Sequence, residues 1–286
     1  MKRYDFTIPL QVKPGRLLPL ACRMLPDVPE YALREAFKKR DVKVNGQRVG
    51  MEAVAVAGAQ VCLYTRDTEN KAVSIPVVYQ DDNVIIVVKP AGVSCEADAK
   101  GGRTLTQLLQ LQENTPQKPL LCHRLDNPTE GLIVLARKPE VQQELQDAFR
   151  EHLIHKTYTC IVRGTPAPAH AVLEHYLIKD AQNARVRVVP TPRTGAKQIV
   201  TEYTVEKADD CARLRIDLHT GRTHQIRAHM AFIGHPLIGD DQYGDRELNK
   251  QLKARKLMLC ANGLSFSLRG RLAYLNEKSF TCNPGF

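Results

Sequence analysis

The chain has 286 residues, with 41 Lys and Arg against 31 Asp and Glu and a formal net charge of +10. At 43% hydrophobic and 25% charged, its composition is that of a folded globular protein and excludes a disordered chain, a collagen or a coiled coil. Its longest strongly apolar stretch, 84–88, is far too short to span a membrane as a helix.

Near the N-terminus, Lys13, Pro14 and Arg16 interrupt any apolar run ahead of Cys22, so no signal peptide is expected. The eight cysteines are spread along the chain with no C-x-x-C pair. They read as reduced thiols of a cytoplasmic protein, not as a disulfide framework or a zinc site.

Residues 1–65 hold 11 Lys and Arg against 6 Asp and Glu, half of the net excess in under a quarter of the chain. A helix is expected over 16–25, stopped by Pro26. Leu33 and Phe37, four apart, predict a second helix over 29–40 opened by Pro29, with Arg34 and Lys38 on a neighbouring stripe. Val42-Lys43-Val44, Asn45-Gly46 and Arg48-Val49 then predict a tight hairpin. Such a basic module either meets a polyanion, most often nucleic acid, or is a solvated face that keeps the protein in solution. The run from Lys38 to Val49 after its helix resembles the end of an S4-type RNA-binding domain. The chain is therefore divided into an S4-like module over 1–65, a polar linker over 66–74 and a second domain over 75–286.

The second domain alternates strand and helix signals. Strands are expected over 83–89, 131–137, 157–162, 213–219 and within 257–268, and helices over 104–111, 139–152 and 222–232. Hairpins mixed with helical crossovers predict an α+β fold with a large mixed, mostly antiparallel sheet.

Several chemistries can be set aside. Gly101-Gly102-Arg103-Thr104 lacks the ending of a phosphate-binding loop and reads as a helix entry. His219, His224, His229 and His235 resemble a metal cluster, but His224 and His229 diverge on one helix and no Cys or acid joins them at ligand spacing, so no metal is expected. Cys122 and His123 are adjacent and point apart in extended chain, which argues against a thiol nucleophile and its base.

Two segments carry the chemistry. His123-Arg124-Leu125-Asp126 is followed by Thr129-Glu130-Gly131 at a turn before a buried strand. In isolation Asp126 reads as a turn residue paired with Arg124. The companion is Gly221-Arg222-Thr223-His224-Gln225-Ile226-Arg227-Ala228-His229, followed by His235-Pro236, Gly239-Asp240 and Tyr243-Gly244. Together with Lys89 to Gly92 and Lys156-Thr157-Tyr158, these motifs closely resemble the RluA family of pseudouridine synthases over about 75–270. Glu130 stands where the family has Ser, Cys260 stands where it has His, and the tail from Gly270 diverges.

The resemblance implies an RNA uridine isomerase that needs no redox cofactor, nucleotide or metal. It gives Asp126 the place of the catalytic carboxylate, acting as nucleophile or as the base that removes a sugar C2′ proton. Arg227 becomes its cationic partner, able to grip a carboxylate bidentately. Tyr158 becomes the residue that stacks on uracil or assists proton transfer. Arg124 would fill the place of a flipped uridine, and His123, Thr129, Arg222, His224 and Gln225 would bind substrate or support those that do. Glu130 is expected to face solvent or to pair with a basic neighbour. The implied partner is structured RNA, ribosomal first and tRNA second, met by a monomer with no membrane attachment. Two other readings keep the same motifs: an RNA-binding protein that has lost catalysis, and a hydrolytic nucleosidase.

Overall fold

Asn45 and Gly46 both take positive φ, 48° and 83°, so the chain turns back on itself in two residues and pairs Val42 with Val49. The computed structural model in which this is seen describes residues 1–12, 15–25, 28, 30–65, 73–96, 103–180 and 185–286. Pro29, most of the expected linker (66–72) and Gly101-Gly102 lie outside the described residues. The chain divides into two units, Met1–Ser74 with Glu96–Thr104, and Ile75–Cys95 with Leu105–Phe286.

The first unit contains β1 (Lys2–Thr7), β2 (Gly15–Arg16), α1 (Leu17–Met24), α2 (Glu30–Lys38), β3 (Val42–Val44), β4 (Gln47–Val49), β5 (Val54–Ala55) and β6 (Gln60–Thr65). Four of the strands form an antiparallel sheet in the order β1-β6-β3-β4, and β2 pairs with β5. Leu33 and Phe37 of α2 are fully buried among Leu17, Val42 and Leu63, the i, i+4 stripe read from the sequence. Lys38, Lys39, Arg40 and Arg48 stay exposed.

The second unit runs β7 (Val77–Gln80), β8 (Val84–Lys89), α3 (Leu105–Glu113), β9 (Leu120–Leu121), β10 (Glu130–Ala136), α4 (Pro139–Arg150), β11 (Ile154–Arg163), β12 (His170–Asp180), β13 (Arg185–Val189), β14 (Lys197–Lys207), β15 (Cys211–Leu218), α5 (Gln225–Phe232), α6 (Arg246–Gln251), β16 (Leu259–Phe266), a 3-10 turn (Gly270–Leu275) and β17 (Phe280–Thr281). One large sheet runs β13-β12-β14-β15-β11-β16-β10-β8-β7, with β9 added to β10 and β17 to β16. Its pairs are antiparallel except β10 with β16, so it is mixed and mostly antiparallel.

The continuous apolar runs of β8 and β10 follow from burial on both faces. Ile85, Val87, Ile133 and Leu135 join the core that takes Leu105 and Leu109 of α3. Val84, Ile86, Leu132 and Val134 join the opposite core with Val141 and Leu145 of α4. The parallel contact of β10 with β16 is close enough to demand glycine: Gly131 has φ 125°, and a Cβ there would lie 2.4 Å from the Ala261 carbonyl oxygen. That contact fixes where the preceding turn, which carries Asp126, leaves the sheet. Among the described residues no helix is long and apolar enough to cross a membrane.

Candidate active site

Asp126 sits on the loop between β9 and β10, in a turn closed by the Thr129 amide donating to the Asp126 carbonyl at 3.0 Å. The loop after β8 clamps that turn. The Asn127 side chain donates to Ser94 Oγ at 2.6 Å, and the Gly92 amide donates to the Asn127 carbonyl at 2.8 Å. Lys89, fully buried, donates to the carbonyls of Pro90, Val93 and Asn127 at 2.8–3.1 Å. Burial pulls its pKa down to about 8, against the opposing pull of the Cys95 thiol and the Asp126 carboxylate. The Lys89-Pro90-Ala91-Gly92 motif thus acts as a buttress behind the turn that carries Asp126.

Tyr158 on β11 is 5% exposed and packs with Cys160 and Val162, the face expected from strand alternation. Burial raises its pKa, and the Asp126 charge adds to the effect, so the phenol stays protonated near neutral pH. Arg227, on the first turn of α5, is 2% exposed. Its Nη1 donates to Asp126 Oδ2 at 3.3 Å.

The bidentate grip expected on Asp126 goes instead to Asp240. Arg227 Nε and Nη2 donate to Asp240 Oδ2 and Oδ1 at 2.7 and 2.9 Å, and Asp240 is fully buried. The physical reason is local. Asp240 also accepts from the Gln242 and Tyr243 amides, so its carboxylate is fixed side-on to the guanidinium, whereas Asp126 faces a cavity. Burial disfavours both charges of the pair, but their hydrogen bonds outweigh it, raising the arginine pKa and lowering that of Asp240. The loop that delivers Asp240 needs a glycine: Gly239 has φ 77°, and a Cβ there would lie 1.8 Å from the Lys256 carbonyl oxygen.

A cavity of about 70 Å³ opens over Asp126 and is lined by Arg124, Thr129, Tyr158, His224 and Arg227 among others. Arg124 and Arg222 stand exposed on its rim. Thr129 is buried in its wall. His224 precedes α5 in a left-handed conformation, φ 53°, with Nδ1 3.0 Å from Tyr243 Oη and Nε2 3.9 Å from Asp126 Oδ2. Burial lowers its pKa and the nearby Asp126 charge only partly offsets this, so it is neutral at pH 7.

Two expected substrate contacts have other work. Gln225 lines the cavity, but its carbonyl accepts from Thr220 Oγ1 and the Arg222 amide while its NH₂ donates to the Val200 carbonyl and Thr201 Oγ1, so the whole amide is engaged by protein. Those bonds shape residues 220–224 as a turn, which is why α5 starts at Gln225 and not at Arg222. His123 lines a neighbouring hollow and not the Asp126 cavity. Its Nε2 accepts from the Val134 amide at 3.1 Å and its ring lies 4.4 Å from that of Phe149. Sequence reasoning missed Asp240 and Tyr243 as site residues, although both stand in a motif visible in the sequence.

Glu130 turns away from Asp126. It lies 3.6 Å from Lys256 Nζ and accepts from the Gly285 amide at 2.8 Å. Cys260 and Cys282 have their sulfurs 3.8 Å apart on the same side. Among the described residues no group of three or more His, Cys, Asp or Glu is placed to hold a metal ion, and all eight cysteines are unbridged.

A family model described as RNA pseudouridylate synthase matches residues 83–232. The ribosomal large subunit pseudouridine synthase D of Neisseria meningitidis serogroup B is 32% identical over 286 aligned residues, covering 93% of this chain and 75% of the relative. The ribosomal large subunit pseudouridine synthase C of Escherichia coli is 30% identical, covering 86% of this chain and 83% of the relative. Among solved structures, human RNA pseudouridylate synthase domain containing 4 is similar with TM-score 0.59 and 26% identity, covering 73% of this chain and 88% of that one. Human RNA pseudouridylate synthase domain containing 1, at TM-score 0.61 and 22% identity over 75% of this chain and 84% of that one, shares the fold.

Proposed function

The chain belongs to the RNA pseudouridylate synthase family, and from that premise we propose that it isomerises a specific uridine of ribosomal RNA to pseudouridine, with Asp126 as the reacting carboxylate. The observation that carries this reading is the single-ended contact between Asp126 and Arg227: one guanidinium nitrogen donates to Oδ2 at 3.3 Å, and the carboxylate lines the cavity. A carboxylate so held suits attack on the sugar or base, or abstraction of the C2′ proton. Because uracil leaves the ribose, turns and rejoins through carbon, substrate and product have the same atoms, and the reaction balances without a redox partner.

A stacked base cannot reach a cavity of this kind, so the uridine is flipped out, at a cost of roughly a few kcal/mol, with Arg124 on the rim placed to fill the gap. Tyr158 packs against the bound base, and Thr129, Arg222 and His224 complete the wall. His123 and Gln225 hold the surrounding loops. Ribosomal RNA is favoured over tRNA because the similar bacterial enzymes are named for the large ribosomal subunit. Residues 1–65, read as an S4-like module, supply sequence-independent RNA affinity, while 75–286 supply the chemistry. A monomer in the cytoplasm fits the unbridged cysteines.

The test is tritium release from 5-tritiated-uridine ribosomal RNA. Release that disappears in Asp126→Asn is expected. Tight RNA binding without release would point to a binding protein, and free uracil would point to a nucleosidase.

A further inference from the structure

Beside the Asp126 cavity lies a larger hollow of about 560 Å³, and Arg124, Lys156 and Arg222 line both. Among the described residues four Lys or Arg and three His line the hollow, and no Asp or Glu does. Two of these groups have partners outside it: Arg150 pairs with Asp147, and His219 Nε2 lies 2.8 Å from Glu202. Lys156 is different. Among the described residues no carboxylate and no hydrogen-bond acceptor meets its ammonium, which lies 5.4 Å from the centroid of the Phe149 ring. Gly221 lets it sit there, since a Cβ at that position would come within 3.2 Å of Nζ. Burial lowers the pKa of Lys156, and among the described residues the Nδ1 of His123 in the same hollow is buried without a hydrogen-bond partner.

A half-buried ammonium without a counter-charge is unfavourable, and protein sites of this kind are completed by an anion. Because Lys156 lines both spaces, an anion held there adjoins the Asp126 cavity. We propose that the hollow receives the nucleotide adjoining the target uridine, with Lys156 binding the phosphodiester that joins the two. The proposal rests on the uridine-isomerase reading of Asp126. It adds a second recognition point on the same strand, so that a flipped uridine arrives with its neighbour's backbone already held.

The experiment compares the wild-type chain with Lys156→Gln and Lys156→Arg on a large-subunit ribosomal RNA transcript. It follows both equilibrium binding against salt and tritium release. Loss of one charged hydrogen bond predicts about a tenfold rise in KM for Lys156→Gln with kcat within about threefold, and a salt slope smaller by about one. Lys156→Arg restores most of the affinity. A short substrate with an uncharged methylphosphonate at the linkage next to the target should weaken wild type and leave Lys156→Gln little affected. A fall in kcat with unchanged KM and slope, or equal methylphosphonate losses in both proteins, overturns the phosphate assignment. Wild-type binding without any tritium release overturns the activity reading instead, and the salt slopes still decide the phosphate contact.

Discussion

Arg227 gives two nitrogens to Asp240 and only one to Asp126, so a fully buried carboxylate anchors the arginine that a cavity-facing carboxylate uses. Asp240 holds the guanidinium plane still and sets its own negative charge against the arginine, leaving Asp126 a single contact with it. Asp240→Asn keeps the shape and removes that charge. Among the described residues Arg227 then keeps Asp126 and the exposed Asp241 as carboxylate partners, and the fork loses its anchor. Breaking one side of a buried pair predicts a loss of about 3 kcal/mol of stability. A misaligned Asp126 predicts a kcat at least about tenfold lower with KM little changed. Denaturant midpoints and single-turnover tritium release check the two effects, and an unchanged kcat would show that Asp240 serves the fold alone.

The first unit makes a separate prediction about affinity. Arg40, Asp41, Lys43, Arg48 and Tyr64 line a hollow of about 350 Å³, three cations to one carboxylate, and Lys43 and Arg48 are cross-strand neighbours in the β3–β4 hairpin. If these cations bind RNA phosphates, replacing Lys43 and Arg48 by Gln in the full chain should weaken binding across RNA sequences alike. The salt slope should fall by about one for each phosphate that is no longer neutralised. The rate of bound substrate should not change. An unaltered slope measured by titration at several salt concentrations would leave the basic face with solubility as its role.

Short-range features were legible in the sequence because short-range physics makes them. Asn45-Gly46 specified a turn, Leu33 and Phe37 specified a helix face, and the runs in β8 and β10 announced strands buried on both sides. β12 was not legible, because His170–Asp180 is half-exposed along much of its length and carries little apolar alternation. Asp126, Tyr158 and Arg227 lie far apart in sequence, and only the ordered motifs linked them. The role of Asp240 was invisible because sharing one guanidinium between two carboxylates is a three-dimensional fact. His123 adjoins Arg124 in sequence, but the Val134 amide and the Phe149 ring hold it in the neighbouring hollow, a placement no motif announces.

Glu130, which replaces the family's Ser, has a structural task. It caps the Gly285 amide and pairs with Lys256, whose Nζ in turn donates to the Gly285 carbonyl at 2.8 Å. In this chain Glu130 and the tail meet directly, and Ser is too short to reach either partner. Glu130→Ser should release the 282–286 segment and lower stability by about 1–2 kcal/mol, the worth of a partly exposed charged hydrogen bond with its ion pair. Because the side chain faces away from the cavity, tritium release per folded molecule should stay near wild type. A large fall in activity with unchanged stability would instead place Glu130 in communication with Asp126.

Acid should destabilise the fold through its buried imidazoles. His229 is fully buried between His175 Nδ1 and Thr201 Oγ1, both at 2.9 Å, and burial, with the neighbouring His175 imidazole adding to it, pushes its pKa down to about 4. In the unfolded chain the same group titrates near 6.5. Between about pH 6.5 and 4 the unfolded state binds a proton that the native state does not, so stability is full above pH 6.5 and declines as pH falls toward 4. The group's contribution is on the order of 3 kcal/mol if the whole shift is realised. His123 and His224, also lowered by burial, act in the same direction. Urea midpoints for wild type should drop between pH 7.5 and pH 5, and His229→Gln, which keeps an amide able to bond Thr201, should show a shallower drop. Equal pH dependence in the two proteins would mean that His229 is not held neutral in the native state.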